Sequence, residues 1–214
     1  MIIAVASHKG GVGKSTTAVH LAAYFQDLGT TILVDGDDNR SATLWASKGK
    51  LTFQVVPERQ AAKYARDAEH IVMDTNARAG RDELREIADG CDLLVVPTIP
   101  DAMSLDATLV TVKDLAKLGG EGKFRILLTI CPPAPIAEAQ QAREAIEAAG
   151  LPVFRGQVRR LMAFPRACFE GVTVDMLKDD RASLGWSDYE AIGKEIEQHI
   201  AQATVRSTGR SVSR

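Results

Sequence analysis

The apolar segment Ile2-Ile3-Ala4-Val5-Ala6-Ser7 runs almost directly into Lys9-Gly10-Gly11-Val12-Gly13-Lys14-Ser15-Thr16, and Thr17-Ala18-Val19-His20-Leu21-Ala22-Ala23-Tyr24-Phe25 follows with helical character. A short buried strand, a glycine loop and a helix in that order make a phosphate cradle. Glycines let backbone N–H groups converge on anionic oxygens, and the helix N-terminus adds a favourable dipole. In such a loop Lys14 reaches the β- and γ-phosphates and the Ser15 hydroxyl sits on Mg²⁺. A chain that opens this way is constrained to an α/β nucleotide-binding architecture.

The rest of the chain agrees with that constraint. Apolar runs at 31–34, 53–56, 71–73, 93–96, 124–130 and 153–158 read as further strands. Helix-like stretches fall at 57–67, 80–89, 104–118, 136–149 and 187–203. Continuous rather than alternating apolar strands, separated by helices, predict a doubly wound, mainly parallel sheet with helices on both faces. Such sheets bind ligands beyond the carboxyl ends of their strands. The glycine loop, Asp35 and Asp74 are all expected there, in one crevice. Residues 1–203 read as a single domain, and 204–214, with Arg206, Arg210, Arg214 and no acid, as a disordered basic tail.

Composition narrows the function classes. A net charge of −2 means that any nucleic-acid contact must come from a local basic patch rather than bulk charge. Three widely spaced cysteines, Cys91, Cys131 and Cys168, form no CxxC pair, which predicts reduced, buried thiols in a cytoplasmic protein. No apolar run reaches the roughly 20 residues of a membrane span, and the first strand leaves no room for a signal peptide. His8, His20, His70 and His199 lack metal-ligand spacing, and Trp45 and Trp186 are expected to pack.

Two carboxylate groups attract chemistry. Asp35-Gly36-Asp37 follows the second strand; carboxylates there can hold Mg²⁺ through its water shell or orient an attacking water. Asp74 ends the hydrophobic run Ile71-Val72-Met73 in the manner of a Walker B strand. Mg²⁺ takes few protein ligands, so Ser15 directly and Asp74 through water suffice.

The standard P-loop has glycine where this chain has His8, and a second lysine, Lys9, stands one residue later. On this deviant P-loop the chain resembles the ParA/MinD family of ATPases, most closely over 1–45 and 70–75 and more loosely over 151–200. The resemblance implies ATP and Mg²⁺ as cofactors. It implies a homodimer, formed when ATP is bound, in which Lys9 reaches across to the partner's phosphates. Lys9 and Lys14 then stabilise the phosphoryl transition state, Asp37 positions the hydrolytic water, and Asp35 supports the magnesium shell. Phe164 and Pro165 become candidates for the adenine wall.

The same resemblance makes Arg159, Arg160, Arg166, Lys178 and Arg181 candidate contacts to the DNA backbone. It implies non-specific DNA binding on the nucleoid, and a partner protein that stimulates hydrolysis. Since the P-loop begins at residue 9, no N-terminal DNA-reading extension is expected. The family often carries Pro-Gln after the second Asp and prolines after the Walker B Asp; here Asp38-Asn39 and Thr75-Asn76-Ala77 stand instead. Two alternatives remain open: a MinD-like ATPase working on a membrane surface, and an ATP-dependent small-molecule synthetase. Against the first, the apolar stripe of the last helix (Tyr189, Ile192, Ile196, Ile200, Ala203) is narrow and opposed by Glu190, Glu195 and Glu197. For the second, no substrate-binding set is visible.

Overall fold

The computed structural model describes residues 1–77, 81–115 and 122–211. Six strands form one sheet: β1 (Ile2–Ser7), β2 (Thr31–Asp35), β3 (Gln54–Pro57), β4 (His70–Ala77), β5 (Leu93–Thr98) and β6 (Phe124–Leu128). The helices are α1 (Lys14–Gln26), α2 (Ser41–Ala46), α3 (Ala61–Tyr64), α4 (Arg81–Gly90), α5 (Ala102–Leu115), α6 (Glu138–Ala148), α7 (Ala163–Glu170) and α8 (Asp180–Ser211). The strand order is β3-β2-β4-β1-β5-β6 and every pairing is parallel, as the continuous apolar runs predict. Because successive side chains in a strand face opposite ways, each run feeds two cores. Ile3 and Val5 of β1 join Leu33, Val72 and Val95 under α1 and α8. Ala4 and Ala6 join Leu94, Val96, Ile126 and Leu128 on the other face, with residues of α4 and α6.

Several boundaries differ from the sequence reading. The run at 153–158 is not a ladder strand. It meets β6 and the segment after it through two isolated bridges, Ile126 with Val153 and Cys131 with Arg159, and through the Val158 N–H, which donates to the Leu128 carbonyl at 2.8 Å. The N–H groups of Arg155 and Gly156 turn instead to the Glu195 carboxylate, at 2.9 and 2.7 Å. The helix expected over 57–67 shrinks to a 3₁₀ turn, Glu58–Gln60, and the four residues of α3. Strand β4 runs on to Ala77, so Asp74 lies inside it rather than at its end. Pro97 does not close β5, because β1 pairs with β5 only up to Val95 and no ladder bond on that side is lost. Strand β6 stops at Leu128, and Ile130 has φ of 53°. Helix α8 starts at Asp180 and continues through Ser211, past the expected end at 203. Gly80, residues 116–118 of the helix expected over 104–118, and 212–214 of the tail lie outside the described residues.

Helix α8 uses its Tyr189, Ile192 and Ile196 stripe as a core face, all buried, and it packs against α1. Gly193 is required there, since a Cβ would lie 2.3 Å from the Tyr24 ring. The Tyr24 hydroxyl donates to Glu197 at 2.5 Å, and the Tyr189 hydroxyl lies 3.2 Å from Thr17 Oγ1. His20 of α1 is fully buried among Tyr189, Phe164 and Trp45, stacked on Tyr189 at 4.8 Å. Its Nε2 accepts the Val174 N–H at 3.0 Å, so the proton sits on Nδ1 and is donated to the Thr16 carbonyl at 2.7 Å. The ring therefore ties the first turn of α1 to the segment before α8 only while neutral.

Burial pushes the His20 pKa down from 6.5 to about 4, with the Thr16 carbonyl and Asp175 opposing. The unfolded chain thus takes up this proton first as pH falls. Stability should drop progressively from about pH 6.5, the loss from His20 reaching about 3 kcal/mol by pH 4. Urea melts at pH 7 and pH 4.5 measure it: a His20→Gln variant should lack this component, and an equal acid loss in wild type and variant would refute the assignment.

Candidate nucleotide site

No side chain caps the first turn of α1. Gly13 occupies its N-cap with φ of 83° and contributes no side-chain cap, and no acidic residue lies in the first turn. Its first N–H groups thus have no capping side-chain oxygen, an arrangement suited to an anion. Gly11, at φ of 77°, and Gly13 both hold the left-handed conformation that gives the loop its curl. The loop is propped from below: Thr129 Oγ1 donates to the Val12 carbonyl at 2.8 Å. A cavity of about 780 Å³ is lined by Gly10, Gly11, Gly13, Lys14, Ser15 and Thr16, among others. Lys14 is 6% exposed and lies within this lining. Buried at the start of α1, Lys14 lies close enough to Asp74 for its charge to act on that carboxylate.

The parallel register sets the carboxylates beside the loop. Val5 pairs with Asp74, and Asp74 with Asp35, so the three adjacent strands β1, β4 and β2 carry the loop and both acids. The two acids differ in use. Asp35 is engaged: its Oδ2 accepts the Thr43 N–H at 2.7 Å and the Thr43 hydroxyl at 2.5 Å, and its Oδ1 accepts the Asp37 N–H at 3.2 Å. It organises the turn into α2. Asp74 is 1% exposed and neither carboxylate oxygen has a hydrogen-bond partner. Burial raises its pKa to about 7, with the charges of Asp35 and Asp37 adding and Ser15 and Lys14 opposing. An orphaned buried carboxylate beside Ser15 and the phosphate loop fits a hydrated divalent cation, which would return it to its charged form. Ser15 and Asp74 are the residues that would hold Mg²⁺.

Asp37 lies in the cavity wall with Asn39 and Ser41. It is buried, and holds them by long bonds: Oδ1 accepts the Asn39 N–H at 3.2 Å and Oδ2 the Ser41 hydroxyl at 3.2 Å. Two sequence departures prove to be partners, since Asn76 Nδ2 donates to Asp38 Oδ2 at 2.8 Å. The loop after β2 and the end of β4 are joined through them.

Lys9 behaves unlike Lys14. Its side chain is 42% exposed, and its ammonium donates to Ser104 Oγ at 2.6 Å with Asp101 3.9 Å away. Asp101 caps α5, accepting the Ser104 N–H at 2.9 Å. Lys9 thus leaves its own phosphate loop and rests on the head of α5.

The same cavity is lined further by Val158, Arg159, Arg160, Leu161, Met162, Phe164, Pro165 and Tyr189. Phe164 and Pro165 stand in the first turn of α7, not in a loop; both reach the cavity, although Phe164 also packs edge-on against His20. The five basic candidates are not alike. Arg159 is bound to Asp188 at 2.8 Å, and Arg166 to Glu170 at 3.0 Å and Asp179 at 3.6 Å. Arg160, Lys178 and Arg181 are exposed, Arg160 on the cavity rim. Of the thiols, Cys91 and Cys131 are buried as expected, but Cys168 is exposed at the cavity. Sequence reading missed Thr129, Ile130, Trp45, Ser41 and Tyr189 in the lining. Only Tyr189 carried a signal, as the head of the apolar stripe of α8.

Comparison with known proteins agrees with this geometry. The model of the CobQ/CobB/MinD/ParA nucleotide binding domain matches residues 3–174. Maintenance of carboxysome distribution protein A from Gloeobacter kilaueensis is 31% identical over 92% of this chain and 94% of its own. Among solved structures, the Cyanothece McdA(D38A)-ATP complex superposes with a TM-score of 0.67 at 13% identity, covering 94% of this chain and 96% of that one. MinD from Pyrococcus horikoshii OT3, complexed with Mg-ADP, gives 0.66 at 15% identity over 88% and 93%. With the family model matched over most of its length, this chain belongs to the CobQ/CobB/MinD/ParA family of nucleotide-binding domains.

Proposed function

We infer that the chain is a ParA-type positioning ATPase: ATP and Mg²⁺ close two copies face to face, the closed dimer binds DNA without reading sequence, and hydrolysis releases it. The observation that supports this most directly is the separation of the two lysines. Lys14 is buried in its own phosphate site, whereas Lys9 stands exposed on Ser104 and Asp101. An exposed ammonium at the rim of a phosphate loop suits the phosphates of a facing copy. In the closed state Lys14 and Lys9 offset charge developing on the transferred phosphoryl group and Asp37 orients water for in-line attack. Ser15 and Asp74 would hold Mg²⁺, which would supply positive charge to the phosphoryl oxygens.

Relatives named Maintenance of carboxysome distribution protein A, Protein ParA and Chromosome-partitioning ATPase Soj support a cargo-positioning role on the nucleoid, in the cytoplasm, with a partner protein stimulating hydrolysis. No helix among the described residues is long and apolar enough to cross a membrane, and the stripe that a membrane-surface helix would need is spent on α1. Arg160, Lys178 and Arg181 are the candidate phosphate contacts left exposed by ion pairing.

Three outcomes are expected. Lys14→Ala should lose ATP binding, whereas Lys9→Ala should bind ATP but stay monomeric in light scattering; an ATP-dependent Lys9→Ala dimer would falsify the cross-subunit role. Asp37→Ala should lower turnover by about 100-fold or more while leaving an ATP-bound dimer in place, and unchanged phosphate release would remove Asp37 from catalysis. Binding to a random duplex should require ATP, and it should weaken steeply between 50 and 200 mM salt, roughly 10-fold or more for a few phosphate contacts. Failure to bind in any nucleotide state would remove the DNA role and leave the ATPase reading standing.

A further inference from the structure

The Asp37 side chain makes only long bonds of its own. Its carboxylate accepts the Asn39 N–H, the Asn39 side-chain amide and the Ser41 hydroxyl at 3.2 to 3.3 Å. Where that carboxylate stands therefore depends on the backbone that carries it. The backbone is a tight turn, in which the Arg40 N–H donates to the Asp37 carbonyl at 2.8 Å and Arg40 has φ of 50°.

Both neighbours of Asp37 are fastened to β4, and by shorter bonds. Before it, the Gly36 N–H donates to the Asp74 carbonyl at 2.8 Å. After it, Asp38 Oδ2 accepts from Asn76 Nδ2 at 2.8 Å. The anchor points Asp74 and Asn76 flank Thr75, whose hydroxyl donates to the Val5 carbonyl at 3.0 Å, and Ala77 pairs with Ser7. The turn is thus tied at two points to a strand that β1 braces. A single tie at Gly36 would leave the turn free to pivot, and the second tie stops that rotation.

Packing does not take the place of these bonds. A cavity of about 290 Å³ lies against the turn, lined by Gly36, Glu58, Asp74, Thr75 and Asn76 among others, and Asp38 is exposed. The Gly36 tie is made by backbone alone. The tie between Asn76 and Asp38 is made by side chains.

We propose that Asn76 is a positioning residue for hydrolysis: through Asp38 it fixes the turn, so that the Asp37 carboxylate keeps a set place relative to Asp74. This rests on the reading of Asp37 as the group that orients water. In-line attack depends on geometry, so a loosened turn costs rate. Nucleotide affinity comes from the phosphate loop, which the two ties do not touch.

The test is single-turnover phosphate release by the full chain at saturating ATP and Mg²⁺, with ATP affinity and melting temperature measured beside it. Asn76→Ala and Asp38→Ala should each slow release about fivefold, with affinity and melting temperature unchanged. The double variant should be no slower than either, and Asn76→Ala should add nothing to Asp37→Ala. Asp38→Asn still offers Asn76 a carbonyl oxygen and should recover the rate lost in Asp38→Ala. Wild-type release from Asn76→Ala overturns the proposal, as do losses that multiply in the double variant or a matching loss of ATP affinity. So does an Asp38→Asn rate as low as that of Asp38→Ala, because charge and not the tie would then matter. Should the wild-type chain bind ATP and release no phosphate, the ATPase reading falls and this assignment with it; wild-type release with indifferent variants sinks the assignment alone.

Discussion

The uncapped first turn of α1 is the constraint around which the molecule is arranged. A helix start buried at the end of a central strand, with glycine at its cap and no acid in its first turn, leaves donors that water or protein would otherwise answer. Everything near it serves to keep that turn rigid and open. Thr129 props the loop through the Val12 carbonyl, His20 holds the Thr16 carbonyl, and Tyr189 reaches Thr17. The anion site is thus prepared before a ligand arrives, so that little ordering remains to be done on binding.

Charge in the site follows from burial. Lys14 and Asp74 are both almost excluded from water, and neither Asp74 oxygen has a hydrogen-bond partner. Asp35, in the same register, is answered by Thr43 and the turn it organises. Two carboxylates side by side thereby acquire different duties, one structural and one suited to a hydrated cation. On the rim, Lys9 has a partner in Ser104 and the α5 cap, and any cross-subunit role requires that this contact be exchanged for a phosphate.

The phosphate loop, the strand-borne acids and the parallel sheet were legible in the chain because each depends on residues close in sequence. Gly13 and Lys14 are neighbours whatever the rest does, and a run such as Ile71-Val72-Met73 announces a doubly covered strand by itself. Errors fell where local signal and tertiary demand diverge. Residues 153–158 look like a strand, yet Glu195 takes the N–H groups of Arg155 and Gly156. The thiol of Cys168 resembles the other two in sequence but emerges at the cavity.

The cavity wall at Arg159 shows the same division most sharply. Sequence by itself determined that an α/β sheet with a deviant phosphate loop would form, and which acids would stand at its carboxyl edge, since strand period, glycine freedom and helix start are local properties. It also suggested that Arg159 belonged with the other basic residues. Only the tertiary structure decided its surroundings: Asp188, 29 positions away, claims three of its donors. An ion pair depends on where two segments meet, and that meeting is set by α8 packing on α1 through Tyr189 and Gly193 rather than by anything written beside the arginine.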